Sequence, residues 1–460
     1  MPSVLSLVLA AALAQAPGPD AGAAPPDAGG PAGEDGAEAR MPTRRYLIER
    51  IELRGLAHTR PEAVRRHLLV DEGELLDTDR VLLSRLTLLQ LGWFSRVETR
   101  VERGTERGKV VLVFDLAERN TLIITDFVVG STRAQPLYGG LGLSQQNFLG
   151  RGLGLSGGFV YGGSPAGHPG DRDRFTLRGG FFAPDLPVPH LRLVAGLSGL
   201  FLRGEELACG DAECEHTTIS GAPRTRYQRA GAEAIIGVRP GPFERFLGAY
   251  RYERVHAASS AAGAGPPIHL GWSNLAALTG TYEVDTRDDF FYPTEGFRAV
   301  AQVTYASRVL GGDYEYSRYL VQAESAFDLL RLPLRLQAAA GAVQGDAPFF
   351  ERFYGADFSY FAIGPALGRA MELNFSTDSR YDAVLLMGGI EYARPLWSGA
   401  GFFRRGYLAL GARAVLSSQK AGGSRTRFSR SPLSADAALR LDTPVGTFNV
   451  SLGYALDNVL

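Results

Sequence analysis

Several stretches of this chain carry residue types and spacings that could do chemistry. Gly154-Leu-Ser156-Gly-Gly158 has the form of a serine-hydrolase nucleophile elbow, which needs a strand-to-helix turn to present its hydroxyl. Gly152-Leu-Gly-Leu-Ser-Gly157 has the form of a dinucleotide fingerprint, which needs a helix N-terminus to meet the pyrophosphate. Both fail on the same ground: Phe159-Val160-Tyr161 continues as a strand, and no helical pattern follows. No histidine is spaced as a partner for Ser156, and glycine-rich strands produce such matches by chance. The acidic run Asp285-Thr-Arg-Asp-Asp289 could hold a divalent cation. Its plainer reading is a turn in which Asp285, Arg287 and Asp288 satisfy one another while Pro293 and Gly296 fix the chain's re-entry. The basic loop Ser424-Arg-Thr-Arg-Phe-Ser-Arg430 reads as solvated and extracellular, where it could meet anionic lipopolysaccharide. Cys209 and Cys214 offer too few ligands for a metal and are expected to close a small disulfide loop in an oxidising compartment. With no clustered His, Cys or carboxylate site, an enzyme is the least supported class, and no cofactor or metal is expected.

The elements must therefore explain the chain. Its 460 residues carry a net charge of -1, which gives no electrostatic footprint for nucleic acid. Glycine is abundant and histidine scarce, a balance that suits a barrel with aromatic residues at its membrane interfaces. The apolar run Val4 to Leu13, followed by Ala14-Gln15-Ala16, reads as a signal peptide over residues 1–16, although the first arginine is Arg40. Residues 17–45, almost entirely Ala, Pro, Gly, Asp and Glu before Arg40, read as a disordered tether. No later run is apolar enough for a transmembrane helix, so any spanning structure must be a closed barrel.

Residues 46–119 read as a small α+β domain. Tyr46 to Leu56 alternates as a strand, and Thr59 is expected to cap a short helix with Pro61 in its first turn, running to about Leu69. Asp77 is expected to cap a second helix with Val81, Leu82, Leu86 and Leu89 on its apolar face, ended by Gly92. Trp93 and Phe94 plug the core. Strands follow at Arg96 to Glu102 and Lys109 to Leu116. From 120 to 460 no helical period survives. Within Asp285 to Ala306, residues Phe297, Ala299, Ala301, Val303 and Tyr305 share one face, and Arg298, Gln302 and Thr304 share the other. That is a strand between two environments. The same grammar predicts strands at 121–130, 137–148, 153–162, 173–183, 190–202, 226–239, 246–257, 274–285, 296–307, 314–329, 334–344, 383–394, 406–417, 432–442 and 446–456. In the 226–239 strand, Arg229, Glu233 and Arg239 are expected to face the lumen. Short connections (149–152, 185–189, 240–244, 443–446) alternate with long ones (203–225, 257–273, 345–382, 418–431). This rhythm defines a transmembrane β-barrel rather than a soluble sandwich.

The residues that carry a family resemblance can now be assembled. Tyr46 to Glu118, in the order β-α-α-β-β with Gly55 after the first strand, looks like a POTRA domain. The Asn147-Phe-Leu-Gly-Arg-Gly152 turn, Asp285-Thr-Arg-Asp288 with Tyr292-Pro-Thr-Glu-Gly296, Glu351-Arg-Phe-Tyr-Gly355 and Thr443-Pro-Val-Gly446 follow in order. Together they resemble the BamA/TamA family of outer-membrane assembly proteins, the bacterial surface antigens. The resemblance implies a mainly β fold: one periplasmic POTRA domain before a 16-stranded antiparallel barrel in the bacterial outer membrane. It implies insertion of other barrels at a weakly paired seam, with outer-membrane lipids and unfolded outer-membrane protein clients as partners. Accessory periplasmic proteins or lipoproteins are further candidates. The client-binding edge would be Arg96, Val97, Glu98, Thr99, Arg100 and Val101. In the sixth long loop, Phe353, Tyr354 and Gly355 match the family pattern, but the tip Phe358 to Pro365 lacks the family's arginine. Glu391 stands where the family has its first lumenal acid, while the later acidic position is Ala409 or Leu410; Arg369 could substitute from further along the loop. Only about fifteen strands are countable, so one is missed in a long loop such as 345–382, or the chain is truncated or closes unusually. A two-partner secretion pore and a passive surface barrel are the alternative functions.

Overall fold

The computed structural model describes residues 46–130, 137–163, 173–188, 191–207, 224–259, 267–288, 293–329, 332–354, 369–370, 373–374, 381–399, 401–418 and 433–456. The N-terminal domain opens with β1 (Leu47–Arg54), then α1 (Pro61–Arg65) and α2 (Thr78–Gln90), then β2 (Phe94–Arg103) and β3 (Lys109–Glu118). Its sheet order is β1-β3-β2, with β1 parallel and β2 antiparallel to the central β3. Ile48, Val64, Leu88, Leu112 and Phe114 are fully buried between sheet and helices. Each such side chain contributes about 2 kcal/mol on removal from water.

Two expectations about the helices are corrected. The N-cap of α1 is Arg60, without a side-chain cap, because Thr59 is engaged elsewhere: its hydroxyl accepts from Asn147 Nδ2 at 2.9 Å. The helix also stops at Arg65 rather than near Leu69. In α2, Asp77 does cap, accepting from the amides of Asp79 and Arg80, and Gly92 follows at φ 71°. The buried face, however, is Val81, Ser84, Thr87 and Leu88, while Leu82 is exposed. Ser84 and Thr87 can lie inward because each hydroxyl donates to a carbonyl four residues back, Arg80 and Leu83.

The barrel strands are β4 (Leu122–Gly130), β5 (Tyr138–Phe148), β6 (Leu153–Gly162), β7 (Arg174–Val188), β8 (Leu191–Leu207), β9 (Arg224–Val238), β10 (Glu244–Ser259), β11 (Gly271–Asp285), β12 (Gly296–Ala306), β13 (Tyr316–Leu329) and β14 (Leu332–Gly345). After β14 come four two-residue ladder pieces, β15 (Phe353–Tyr354), β16 (Arg369–Ala370), β17 (Leu373–Asn374) and β18 (Tyr381–Asp382). The wall then resumes with β19 (Val384–Ser398), β20 (Arg405–Ser418), β21 (Leu433–Thr443) and β22 (Gly446–Leu456). Among the described residues the wall is one 15-stranded antiparallel sheet running from β4 to β22, with β14 paired directly to β19. The described parts of 345–382 supply no wall strand, and the described wall has fifteen strands where the resemblance implies sixteen. Asp185 lies inside β7, whose pairing with β8 bulges between Ala183 and Leu186, so the strands run past the expected turn at 185–189.

Alternation along the strands separates two environments. In β9, Arg229 is fully buried while Ile236 is exposed on the opposite side; in β10, Glu253 is buried while Tyr250 and Tyr252 are exposed. Exposed aromatics gather near both rims, with Phe246 stacked on Tyr282 at 4.5 Å at the N-terminal-domain end and Trp272 at the other. That outward band is the pattern of a lipid-facing barrel.

Candidate functional site at the junction, lumen and seam

The N-terminal domain seats on the strand turns at one rim. Asn147 organises the first of them: its Oδ1 accepts from Gly152 N at 2.7 Å while its Nδ2 donates to Thr59. Arg60 N donates to Gly150 O, and Trp93 Nε1 donates to Gln146 O. Gly150, at φ 69°, is required, since a Cβ there would meet the His58 carbonyl. Across the rim, Gln90 Nε2 donates to Arg287 O at 2.7 Å, and Arg66 donates to Asp185 O at 3.0 Å. Burial opposes the charge of Glu118, but hydrogen bonds from Thr59 and His58 prevail and hold its carboxyl below the usual range. His67 sits edge-on to Trp93 at 5.5 Å, and burial, with Arg239, Arg192 and Arg66 nearby, pushes its imidazole down to about 3. It is a neutral side chain at this junction. A cavity of about 380 Å³ remains between the end of α2 and the inner wall, lined by Gln90, Trp93, Gln146, Phe182 and Phe243 among others.

The start of the segment after β14 packs inside the lumen, against inward-facing wall residues. A 3-10 turn, Phe349 to Glu351, places Phe349 against Tyr227 and Tyr381 at centroid distances of 5.0 and 4.8 Å. Glu351, buried with the aromatics, accepts from wall residue Arg251 at 2.7 Å. Arg229, held by Glu253 through two bonds of 2.8 and 3.0 Å, lies 3.8 Å over the Phe350 ring. Arg318 covers Phe353 at 5.1 Å. Here the inserted segment brings the acid and the wall brings the arginine.

The sequence-predicted site residues fall as follows. Ser156 lies in mid-strand β6, its hydroxyl directed to Gly180 O at 3.5 Å. Arg287 forks onto Asp285 at 2.8 and 2.7 Å, Asp288 accepts from Thr294 and Glu295, and Gly296 turns the chain at φ 98°. Pro293 is buried within this turn. Among the described residues, no group of three His, Cys, Asp or Glu could hold a metal. Phe353 is buried in the lumenal plug, and Tyr354 pairs with Tyr381 in the β15-β18 ladder. Glu391 is buried between two wall arginines, Arg440 at 2.6 Å and Arg335 at 3.5 Å. Arg369 pairs through its backbone with Asn374 in β16-β17. Gly355, the loop tip 358–365, Cys209, Cys214 and the basic loop 424–430 lie outside the described residues. Arg96, Val97, Glu98, Thr99, Arg100 and Val101 do lie on a sheet edge, β2, with Val97 buried beneath and Arg100 tied to Asp115 at 2.7 Å. Sequence reading gave no role to His67, Gln90, Asn147 or Arg251. Asn147 alone carried a signal, as the first residue of the Asn147 to Gly152 turn.

The two ends of the wall sheet, β4 and β22, meet at the same rim as the N-terminal domain. Ile124 N donates to Val445 O at 2.7 Å, and Arg119 approaches Asp442 at 3.6 Å. Beyond that point, among the described residues, neither strand is paired to the other. Since consecutive wall strands alternate in direction, fifteen of them leave β4 and β22 running the same way.

A small α+β domain seated on a lumen-plugged barrel with two sheet edges at one seam defines a class, and the comparisons agree with it. A family model for the Omp85 superfamily domain matches residues 147–459, and the POTRA model, described as surface antigen variable number repeat, matches residues 46–119. The chain belongs to the Omp85 superfamily. Its fold is similar to CdiB from Escherichia coli, with a TM-score of 0.57 at 11% identity over 89% of this chain and 73% of that one. CdiB from Acinetobacter baumannii aligns with a TM-score of 0.51 at 10% identity, over 89% and 74%. BamA from Haemophilus ducreyi lacking POTRA domains 1-3 aligns at 0.48 and 16% identity, over 89% and 81%. A search of curated proteins returned no match.

Proposed function

We propose that this chain is an outer-membrane assembly factor, with its POTRA domain in the periplasm, that receives unfolded barrel clients on β2 and templates their strands at the seam. The observation that carries the reading is the pair of sheet edges, β4 and β22, tied to each other at the POTRA-side rim through Ile124 and Val445. An unpaired backbone group in lipid costs several kcal/mol, so a strand that pairs there is strongly favoured. Because both edges run in one direction, a single strand running the other way is antiparallel to each. Pairing through main-chain hydrogen bonds tolerates many client sequences.

The test is the folding rate of an unfolded outer-membrane barrel added to liposomes with and without the reconstituted protein. Val129 and Val450 are outward-facing residues of the two edges, so a Val129→Cys/Val450→Cys variant can be closed with a short bis-maleimide. Acceleration by the open protein and its loss on cross-linking support the assembly reading. Acceleration that survives the cross-link rejects the seam. The second reading is a two-partner secretion pore, favoured by a lumen closed with a non-wall segment and charged side chains. It predicts that a secreted substrate crosses the liposome membrane whether or not the seam is closed.

A further inference from the structure

The hairpin joining β19 to β20, at the POTRA-side rim, exposes a group of apolar side chains: Leu396, Trp397, Phe402 and Phe403. A bulge builds it. Up to Pro395 the β19–β20 register is regular, with Ala393 facing the lumen opposite Ala409 and Arg394 facing outward opposite Leu408. The register then skips Leu396, and Trp397 pairs with Gly406. Gly406 belongs to the outward row that continues through Leu408 and Leu410, so the bulge turns the indole from the inward row onto the outer surface. There the ring lies over Gly406 so closely that a Cβ would run into it. Trp397 Nε1 donates to Phe403 O at 3.3 Å, and Phe402 and Phe403 meet edge-to-face at 5.3 Å. The turn is pinned by Gly399 N to Arg404 O at 2.8 Å and Arg404 N to Asp442 O at 2.9 Å.

The cluster is continuous with the outward column of Ile390, Leu408 and Leu410, which the lipid of a barrel covers. Arg394 on the same outward face and Arg404 in the turn flank it with positive charge. Aromatic rings with a polar edge, beside arginines, fit the level where acyl chains meet phosphates. We propose that this hairpin is a lipid-binding foot. Leu396, Trp397, Phe402 and Phe403 enter the bilayer leaflet on the POTRA side, and Arg394 and Arg404 select an anionic phospholipid there. The foot lies two strands from β22, so it would fix the leaflet beside the seam.

Quenching of tryptophan by brominated lipids tests this on the full chain in vesicles. The chain has 3 tryptophans, Trp93, Trp272 and Trp397, so the difference between wild type and Trp397→Phe isolates the foot. The expected result is quenching by phosphatidylcholine brominated near the carbonyl end that is clearly smaller in Trp397→Phe, the remainder coming from the outward-facing Trp272 at the other rim. Brominated phosphatidylglycerol should quench more than brominated phosphatidylcholine at equal mole fraction, and Arg394→Gln and Arg404→Gln should each reduce that preference about five-fold. Folding of each variant is checked by heat-modifiable migration. Identical quenching in wild type and Trp397→Phe would place the hairpin in water, free for a periplasmic protein, and overturn the proposal. Equal quenching by the two headgroups, unchanged by the arginine variants, would overturn the anionic selection. Loss of the preference on adding inorganic phosphate would assign the arginines to a soluble anion instead of a lipid.

Discussion

At the scale of single residues, the decisive groups are charges and rings removed from water. His67 is held neutral, its imidazole pushed down to about 3, whereas an unfolded histidine takes up its proton near 6.5. Between those values the unfolded chain binds more protons, so stability at the junction is full above pH 6.5 and falls as pH drops toward 3. Thermal melting of the POTRA domain in the intact protein should show a loss of about 2 kcal/mol between pH 7.5 and 5. The His67→Phe variant should flatten that dependence. Glu351→Ala leaves Arg251 and its neighbours without the acid of the plug and should destabilise it by about 3 kcal/mol. Planar-bilayer recordings should then show openings absent in the wild type, and the double variant Glu351→Met/Arg251→Met should suppress them. Little of this was legible beforehand. Glu351 and Arg251 lie 100 residues apart and Thr59 and Asn147 lie 88 apart, so only the fold reveals each partner. Asp77 and Gly92 were legible because their roles are local: a cap is decided within three residues, and a left-handed glycine by its own φ.

At the scale of elements, the strands were readable because a wall between lipid and lumen imposes a strict period of two. Even so, β7, β8 and β19 run on past their expected ends at 183, 202 and 394, to Val188, Leu207 and Ser398. The β22 range, 446–456, matches its expectation, and β6 at 153–162 does too. The α2 helix was read less well. Ser84 and Thr87 satisfy their hydroxyls on its own carbonyls and can be buried, while Leu82 is exposed. The Asn147 to Gly152 turn was legible as a turn but not as a docking element. Gly150→Ala should be tolerated by the hairpin's length yet clash with His58, costing about 2 kcal/mol of junction stability. Hydrogen exchange at Arg60, whose amide donates to Gly150, should accelerate in that variant while amides of β9 and β10 stay protected. Equal protection at Arg60 in the two proteins would mean that the turn does not hold the domain.

At the scale of the whole molecule, the lumen is occupied from both ends, by the POTRA domain at one rim and by the Phe349 to Phe353 segment towards the other. A vesicle containing the folded wild-type chain should therefore retain small entrapped dyes, and simultaneous Gly150→Ala and Glu351→Ala substitution should release them where either alone releases fewer. The seam imposes a further rule, one of counting. Only an odd number of alternating strands can lie antiparallel to both β4 and β22 at once. On the assembly reading proposed above, a growing client would satisfy both edges after one strand, lose that match after two, and regain it after three. A finished barrel with an even number of strands can keep an antiparallel bond to one edge alone. On that same reading, completing an even-stranded client's own closure would leave it held by one of the two described edges at most, which would favour its release.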